Sequence, residues 1–308
     1  MAFCAFTLII IFAGVQNGIE RVSKIMMPIL IVLSVIIAVY SVTRPGALAG
    51  VKYFLVPNVK NFSWMTVVSA MGQMFYSLSI AMGILITFGS YMKKDTAIED
   101  STRNVEIFDT GIAIMAGLMI IPAVFAFSGG DPGTLQAGPS LMFITIPKVF
   151  QNMGFGTVIG IVFFLLVLFA AVTSSIALTE SAVSTFEDEL GWGRKKATVL
   201  VGVIMLALGS LSSLGYGPLA GIKIIGMQFL DLFDFLTNSV MMPIAALLTS
   251  LFVSRVVGID KIEEEIIHGE SAFRRKKVFV VMIKYLCPVF AIIILLSSVA
   301  NALGWIKM

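Results

Sequence analysis

Charged residues are scarce in this chain of 308 residues: only 13% are Asp, Glu, Lys or Arg, while 58% are hydrophobic. Soluble domains carry about 25% charged residues, so the composition excludes an ordinary soluble protein. It predicts an integral membrane protein, in which lipid rather than a large interior core covers the apolar surface. The net charge is only +3 and the basic residues lie between the apolar runs, so nothing indicates nucleic-acid binding.

Cysteine and histidine are nearly absent. Cys4 and Cys287 both lie in apolar runs, where they are interpreted as small buried side chains, and they provide neither a disulfide framework nor a metal-site spacing. The single histidine, His268, lies in a charged segment, and Ser174 has no base near it in the sequence. A membrane enzyme is therefore not indicated.

The sequence contains several long apolar runs. A helix needs roughly 20 residues to cross a bilayer, and open sheets are not stable in lipid. We therefore predict an all-α integral membrane protein forming a single transmembrane domain over residues 1–308. Eight runs, the first of them short, are candidate spans: 2–16, 25–43, 64–92, 107–128, 155–182, 197–214, 225–254 and 278–304.

Residues 129–154 separate two of these runs and are rich in glycine and proline, with an apolar patch at Leu141–Ile146. This composition predicts a structured extracellular loop that dips back toward the protein, and not a ninth span.

Lys and Arg are divided unevenly between alternate loops. Fourteen fall in the set of loops that includes Lys93 and Lys94, and six in the other set. Loops rich in Lys and Arg stay cytoplasmic, so we predict a multi-pass protein of the cell membrane with both termini, including the C-terminus, outside. The first residues are too short and too uncharged for a signal peptide. They indicate the end of a longer helix, and we expect further helices to precede Met1, odd in number if the true N-terminus is cytoplasmic.

One span carries an unusual interior. The run from Phe75 to Gly83 reads FYSLSIAMG, with small and hydroxyl side chains ending in glycine. Non-helical backbone is tolerated at membrane depth only where protein or water covers it. We therefore predict a helix that breaks here and lines a cavity, as broken helices do at the ion and substrate sites of secondary transporters.

Oxygen-bearing side chains occur at similar depth in three spans: Ser77, Asp109, and the pair Thr173 and Ser174. Such oxygens, with the freed carbonyls of a broken helix, suit a hard cation such as Na⁺. Each has a simpler interpretation. Membrane hydroxyls often bond back to their own helix, and Asp109 is either an intramembrane acid or a first-turn carboxylate near the surface.

Three further acids are open to two interpretations. Asp231 and Asp234 lie at the outer mouth of their span, either as exposed acids at a helix N-terminus or as part of an outer gate. Glu180 lies in an apolar run near the predicted inner surface, either as a packed polar group or as part of an inner gate.

Seven sequence motifs occur in a fixed order along the chain: GIERVSKIMMP at 18–28, GQMFYSLSIAMG at 72–83, SYMKKD at 90–95, AGPSLMFITIP at 137–147, AAVTSSIAL at 170–178, FEDEL at 186–190 and FLDLFDF at 229–235. Taken together, they resemble the neurotransmitter:sodium symporter family, in its bacterial amino-acid branch. The resemblance covers nearly the whole chain and corresponds to the fourth to eleventh helices of the family. It implies a leucine-transporter-like inverted-repeat fold that lacks its first three helices.

The resemblance implies two sodium sites. By position, Ser77 and Asp109 belong to the first, which the substrate carboxylate also contacts. The Ala170 carbonyl, Thr173 and Ser174 belong to the second. Several members carry asparagine in place of Asp109, and the carboxylate resembles the chloride-independent type, so bound chloride is not expected to be required.

The resemblance also implies an amino-acid site and an outer gate. Tyr76 matches the lid over the substrate, and Asp234 matches one half of the outer salt bridge. Other members have glycine and an aromatic residue at Ala81 and Met82, so the pocket floor differs, and the flexible Met82 suits a large apolar or aromatic amino acid. The positions that match the pocket lining are Tyr76, Ser77, Ser79, Met82, Ser174 and Leu178.

The implied function is sodium-coupled amino-acid symport by alternating access. The first three helices of the family supply the second broken segment, most backbone sodium ligands and the basic partner of Asp234, so residues 1–308 alone are not expected to transport. The alternative is a non-transporting membrane fragment or a partner-binding remnant of such a transporter. The substrate, the sodium stoichiometry and the oligomeric state, a homo-oligomer included, stay open.

Overall fold

The computed structural model describes residues 2–129, 138–152, 154–270 and 272–305, apart from the side chain of Asn61. Within these ranges the chain is built of helices, several of which contain a π-helical segment. In chain order they are α1 (Ala2–Phe12), α2 (Val15–Val42), α3 (Ala47–Leu55), α4 (Trp64–Ser77), α5 (Ile84–Ser90), α6 (Ile98–Ser128), α7 (Leu141–Gln151), α8 (Gly156–Leu190), α9 (Arg194–Leu214), α10 (Phe229–Val257), α11 (Ile259–Gly269) and α12 (Lys276–Ala302).

Six helices among the described residues are long and apolar enough to cross a membrane, namely α2, α6, α8, α9, α10 and α12. They coincide with six of the eight predicted spans. The run 2–16 differs because it forms only the 11 residues of α1 before the chain turns at Gly14. The run 64–92 differs because it is divided into α4 and α5.

The predicted loop 129–154 contains α7, an apolar helix too short to cross a bilayer. Residues 130–137 and 153 of this loop lie outside the described residues. The extracellular position of the loop stays a prediction.

Proline accounts for several of the wide helical turns. Proline has no N–H, and its ring clashes with the carbonyl four residues earlier, so an α-helix must widen or bend to accommodate it. In α7, α10 and α12 a π-helical segment directly precedes the α-helical turn that contains the proline. The pairs are Leu141–Thr145 with Pro147, Phe235–Met241 with Pro243, and Met282–Leu286 with Pro288.

The chain divides into two compact units by packing. Unit 1 comprises Met1–Phe12, Ser63–Glu106 and Ala177–Met308, and unit 2 comprises Ala13–Phe62 and Ile107–Ile176. Two long helices, α6 and α8, therefore contribute residues to both units. The single-domain assignment of the sequence stays a prediction.

Unit 1 is a helical bundle in which α4, α10 and α12 share one apolar core. The buried members are Phe75, Met242, Ala246, Ala291 and Ile294. On another side of the unit α1 packs against α9, where Gly202 leaves room for the Leu8 side chain.

Unit 2 packs α2, α3 and α7 around the later part of α6 and the earlier part of α8. Glycine brings α3 against α6, because a Cβ at Gly50 would lie only 2.8 Å from the Pro122 Cα. The Ser41 hydroxyl donates to the Met119 carbonyl over 2.7 Å and ties α2 to α6. The buried apolar residues of this core are Leu30, Ile37, Ala38, Met119, Ala123, Val124, Ile146, Val149, Phe150, Ile159, Phe163 and Leu166.

Candidate functional site

The predicted break is present between α4 and α5. Helix α4 ends at Ser77 and α5 begins at Ile84. Between them Ser79 and Ala81 have φ of 53° and 62°, and Gly83 has φ of 78°. Left-handed backbone costs an L-residue roughly 1–2 kcal/mol, so at Ser79 and Ala81 the surrounding structure must impose it. The family resemblance places glycine at position 81, where this strain would be absent.

Apolar packing holds the break in place. The side chains of Ile80, Ala81 and Met82 are partly buried and pack against the shared core of α4, α10 and α12. In addition, the Ile80 amide donates to the Phe75 carbonyl over 3.0 Å, which closes a wide turn at the end of α4. The irregular backbone is therefore covered by protein, as membrane depth requires.

The far end of the break is fixed against α8. A Cβ at Gly83 would lie 2.6 Å from the Ser181 hydroxyl oxygen. One turn further on, the buried Thr87 and Ser184 hydroxyls are 3.1 Å apart, within hydrogen-bond distance. Glycine at 83 thus serves two purposes, the left-handed turn and the close approach of α5 to α8.

Replacing Gly83 with alanine is expected to destabilise the protein by about 2–4 kcal/mol, because left-handed strain adds to overpacking against Ser181. The measurement is the thermal unfolding midpoint in detergent or nanodiscs. Gly89→Ala in α5 is the matched control, because its Cβ would meet no heavy atom within 4 Å. In the Ser181→Ala background, part of the Gly83→Ala loss should be recovered. Equal effects of Gly83→Ala and Gly89→Ala would contradict the role of Gly83.

Tyr76 and Asp234, the two predicted gate residues, line one cavity of unit 1. The cavity is about 300 Å³ in volume and is bounded by residues of α4, α10 and α12. The Asn238 amide donates to one Asp234 carboxylate oxygen over 2.6 Å, which orients the acid. Asp234 is the last residue of the α-helical opening of α10, Phe229–Asp234, whereas Asp231 lies in its first turn. The pairing of Asp234 with a basic residue stays a prediction.

The predicted ligands of the second sodium site lie together in unit 2. The Thr173 hydroxyl is 3.0 Å from the Ala170 carbonyl and 3.1 Å from the Phe169 carbonyl, and it donates to both. This is the back-bonding that membrane hydroxyls commonly show. It also holds the Thr173 oxygen beside the Ala170 carbonyl oxygen of the same helix. Ser174 follows on α8 and is exposed.

The two predicted ligands of the first sodium site belong to different units. Ser77 is the last residue of α4 and is half-buried. Asp109 is half-buried on α6, which begins at Ile98, so the acid lies about 16 Å along the helix at 1.5 Å per residue. Asp109 therefore does not lie in the first turn of α6, and its depth in the membrane stays a prediction. Of the remaining pocket positions, Met82 is partly buried and Leu178 is half exposed.

A buried ion pair at Glu180 was only partly anticipated from the sequence. Glu180 is fully buried, and Arg194 donates to both its carboxylate oxygens, over 3.0 and 2.6 Å. The Tyr91 hydroxyl donates to the same carboxylate over 2.7 Å, and the Arg194 Nε donates to the Ile11 carbonyl over 3.0 Å. A buried carboxylate is stable when a cation pairs with it. The next basic residues after Glu180 in the sequence are Arg194 to Lys196, so Arg194 could have been proposed as the partner. Tyr91 had no sequence signal. Glu180 is thus a paired group that ties α5, α8, α9 and α1 together.

Comparison with known proteins agrees with this architecture. The model of the sodium:neurotransmitter symporter family matches residues 1–305. The chain belongs to that family. The resemblance drawn from the seven motifs is confirmed, and so is the assignment to a class of transporters and not of enzymes.

Relatives of this family align along most of the chain. The sodium-dependent transporter YhdH of Bacillus subtilis is 34% identical over 300 residues, which is 97% of this chain and 66% of YhdH. A sodium-dependent transporter of Haemophilus influenzae is 31% identical over 97% of this chain and 64% of its own length. The chain thus spans slightly less than two thirds of these relatives.

The fold of the family is also present in solved structures. The crystal structure of MhsT in complex with L-phenylalanine matches with a TM-score of 0.83 and 35% identity, over 96% of this chain and 66% of that chain. The prediction of an all-helical membrane protein with this symporter fold is confirmed.

Proposed function

We propose that the protein is a sodium-coupled amino-acid symporter that works by alternating access in the cell membrane. The observation that carries the proposal is the break at residues 78–83, where three left-handed residues interrupt a membrane helix. Broken helices free backbone groups for ions and substrates, and the sodium-dependent transporters aligned with the chain support the choice of ion.

The residues divide into an ion part, a substrate part and a gate. Ser77 and Asp109 serve one sodium ion, and the Ala170 carbonyl, Thr173 and Ser174 serve a second. Because Asp109 supplies a fixed negative charge, chloride is not required. Tyr76 closes over the substrate, and Asp234 completes the outer gate. The pocket residues are Tyr76, Ser77, Ser79, Met82, Ser174 and Leu178.

The substrate proposed is a large apolar or aromatic amino acid. MhsT binds L-phenylalanine in its crystal structure, and Met82 in this chain offers a flexible, polarizable surface at the pocket floor. The more basic loops are cytoplasmic in this proposal, which puts the C-terminus outside.

The test is uptake by the protein as its native host makes it, purified and reconstituted in liposomes. An inward Na⁺ gradient should drive accumulation of labelled L-phenylalanine, and a sodium ionophore should abolish it. The intact mass of the reconstituted protein, compared with 33.2 kDa for these 308 residues, identifies the chain that was tested. Equal uptake with K⁺ or choline in place of Na⁺ would contradict the proposal.

The alternative is that the protein is a membrane protein that does not transport. It would give no uptake and no Na⁺-specific rise in the unfolding midpoint, with K⁺ at the same ionic strength as the control.

A further inference from the structure

The connection between α10 and α12 folds back onto the start of α6. After α11 ends at Gly269, the chain passes along the beginning of α6 before α12 starts at Lys276. The approach is close, because a Cβ at Gly269 would lie 2.4 Å from the Thr96 carbonyl oxygen. Gly269, Glu270, Arg274 and Arg275 make this contact and are called the α6 clamp below. All four belong to unit 1, as do the residues they contact.

Glu270 caps α6 from a distance of 171 residues in sequence. One carboxylate oxygen accepts from the Glu99 amide over 2.6 Å and from the Asp100 amide over 3.3 Å. The first amides of a helix have no partner within the helix, and its N-terminal end favours negative charge. The Glu270 carboxylate satisfies both requirements.

The clamp also includes contacts in which acidic side chains of α6 accept hydrogen bonds from the connection. The Glu99 carboxylate accepts from the Arg274 amide over 2.9 Å. The Arg275 guanidinium donates to both oxygens of Glu106, over 3.1 and 2.9 Å. These hydrogen bonds and the charge of Glu106 raise the pKa of Arg275, whose guanidinium is charged at neutral pH in any case. The connection between α11 and α12 thereby contacts the first two turns or so of α6, from Glu99 to Glu106.

The outer part of the clamp, the Arg275–Glu106 ion pair, is accessible to water. Arg275 and Glu106 are 46% and 47% exposed, and ion pairs this accessible are weak and screened by salt. The more protected part is the cap, where the Glu99 side chain is only 11% exposed. The Arg275–Glu106 pair therefore adds little free energy to the clamp, and the protected cap contributes more.

Asp109 follows Glu106 on α6 by less than one turn. Glu106 and Asp109 lie on one uninterrupted helix, Ile98–Ser128, so the clamped turns and the acid share one helical backbone. We propose that the α6 clamp positions Asp109 and thus the first sodium site. The role of Asp109 in this inference rests on the proposed function, whereas the existence of the clamp does not.

Hydrogen exchange of the amides at 98–103, measured in nanodiscs, tests the clamp without any transport. Glu270→Ala should raise the exchange rate of these amides by about five-fold, the factor that corresponds to the loss of a helix cap. Glu270→Gln keeps an acceptor oxygen and should retain most of the protection. Glu265→Ala, an exposed acid on α11, is the matched control. Unchanged exchange in Glu270→Ala would overturn the clamp.

Sodium dependence of uptake tests the positioning. Glu270→Ala should raise the half-saturating Na⁺ concentration by roughly 2- to 30-fold, the usual range for coupling between separate sites. Arg275→Glu should act in the same direction, and addition of Glu106→Arg should restore the sodium dependence. Faster exchange with unaltered sodium dependence would reduce the clamp to a structural contact and overturn the positioning role. If the unaltered protein shows no sodium-driven uptake, the proposed function fails, while the exchange comparison still decides on the clamp.

Discussion

Replacing Arg194 with alanine should lower the free energy of unfolding by about 3 kcal/mol, the lower end of the range for breaking a buried ion pair. The reason is Glu180, whose side chain has no exposed surface, whereas that of Arg194 is 24% exposed. Without the guanidinium, the carboxylate would stay buried with the Tyr91 hydroxyl as its remaining hydrogen-bond donor within the described part of the chain. The Ile11 carbonyl would also lose the Arg194 hydrogen bond.

The measurement is the unfolding midpoint of purified variants, with three comparisons. Arg194→Lys keeps the charge but not the two-pronged geometry, so it should fall between the parent and Arg194→Ala. Adding Glu180→Gln to Arg194→Ala removes the unpaired charge and should recover much of the loss. Lys195→Ala, at the exposed neighbouring position, should stay within about 0.5 kcal/mol of the parent. If Lys195→Ala matched Arg194→Ala, the ion pair would not be the cause.

Replacing Asp109 with alanine should raise the half-saturating Na⁺ concentration of uptake on the order of 100-fold. Two unit charges 4 Å apart interact by about 4 kcal/mol at an effective dielectric constant of 20, and part of this is offset by hydration of the emptied position. The half-buried setting of Asp109, well inside α6, limits that hydration. Sodium-driven uptake in liposomes measures the effect.

Asparagine at position 109 separates the charge of the ligand from its oxygen. Asp109→Asn keeps an oxygen for the cation but removes the fixed negative charge, so its uptake should become dependent on chloride, unlike that of the parent. Asp95→Asn, in an exposed turn before α6, is the control and should leave sodium dependence unchanged. If Asp109→Ala transports with unaltered sodium dependence, Asp109 is not a ligand.

The apolar spans were predictable because they depend on composition over about 20 residues and on little else. The break was predictable in part. Gly83 and the run of small side chains indicated where the helix would be interrupted. The left-handed conformations of Ser79 and Ala81 were not predictable, because local preference opposes them and the packing of α4, α10 and α12 imposes them.

Single residues within the spans also divide into those whose role the sequence indicated and those whose role only the packing revealed. Gly50 and Gly202 occur in apolar stretches without any sequence signal, yet each allows a close approach to another helix. For Asp109 the sequence did not show how far the acid lies from the start of its helix, because a single sequence locates helix ends only approximately. The start of α6 at Ile98 places the acid beyond the first turn.

The sequence by itself determined that this protein is a helical membrane protein, where most of its spans lie, that one span is broken, and which family it resembles. These properties depend on hydrophobicity and on motifs that are contiguous in the chain. Only the tertiary structure decided the partners of the charged groups, such as Tyr91 and Arg194 around Glu180, and Glu270 on the first turn of α6. Those pairs join residues from 14 to 171 positions apart. Burial in the folded protein, and not local preference, selects them, because a charge removed from water must be matched wherever the packing places it.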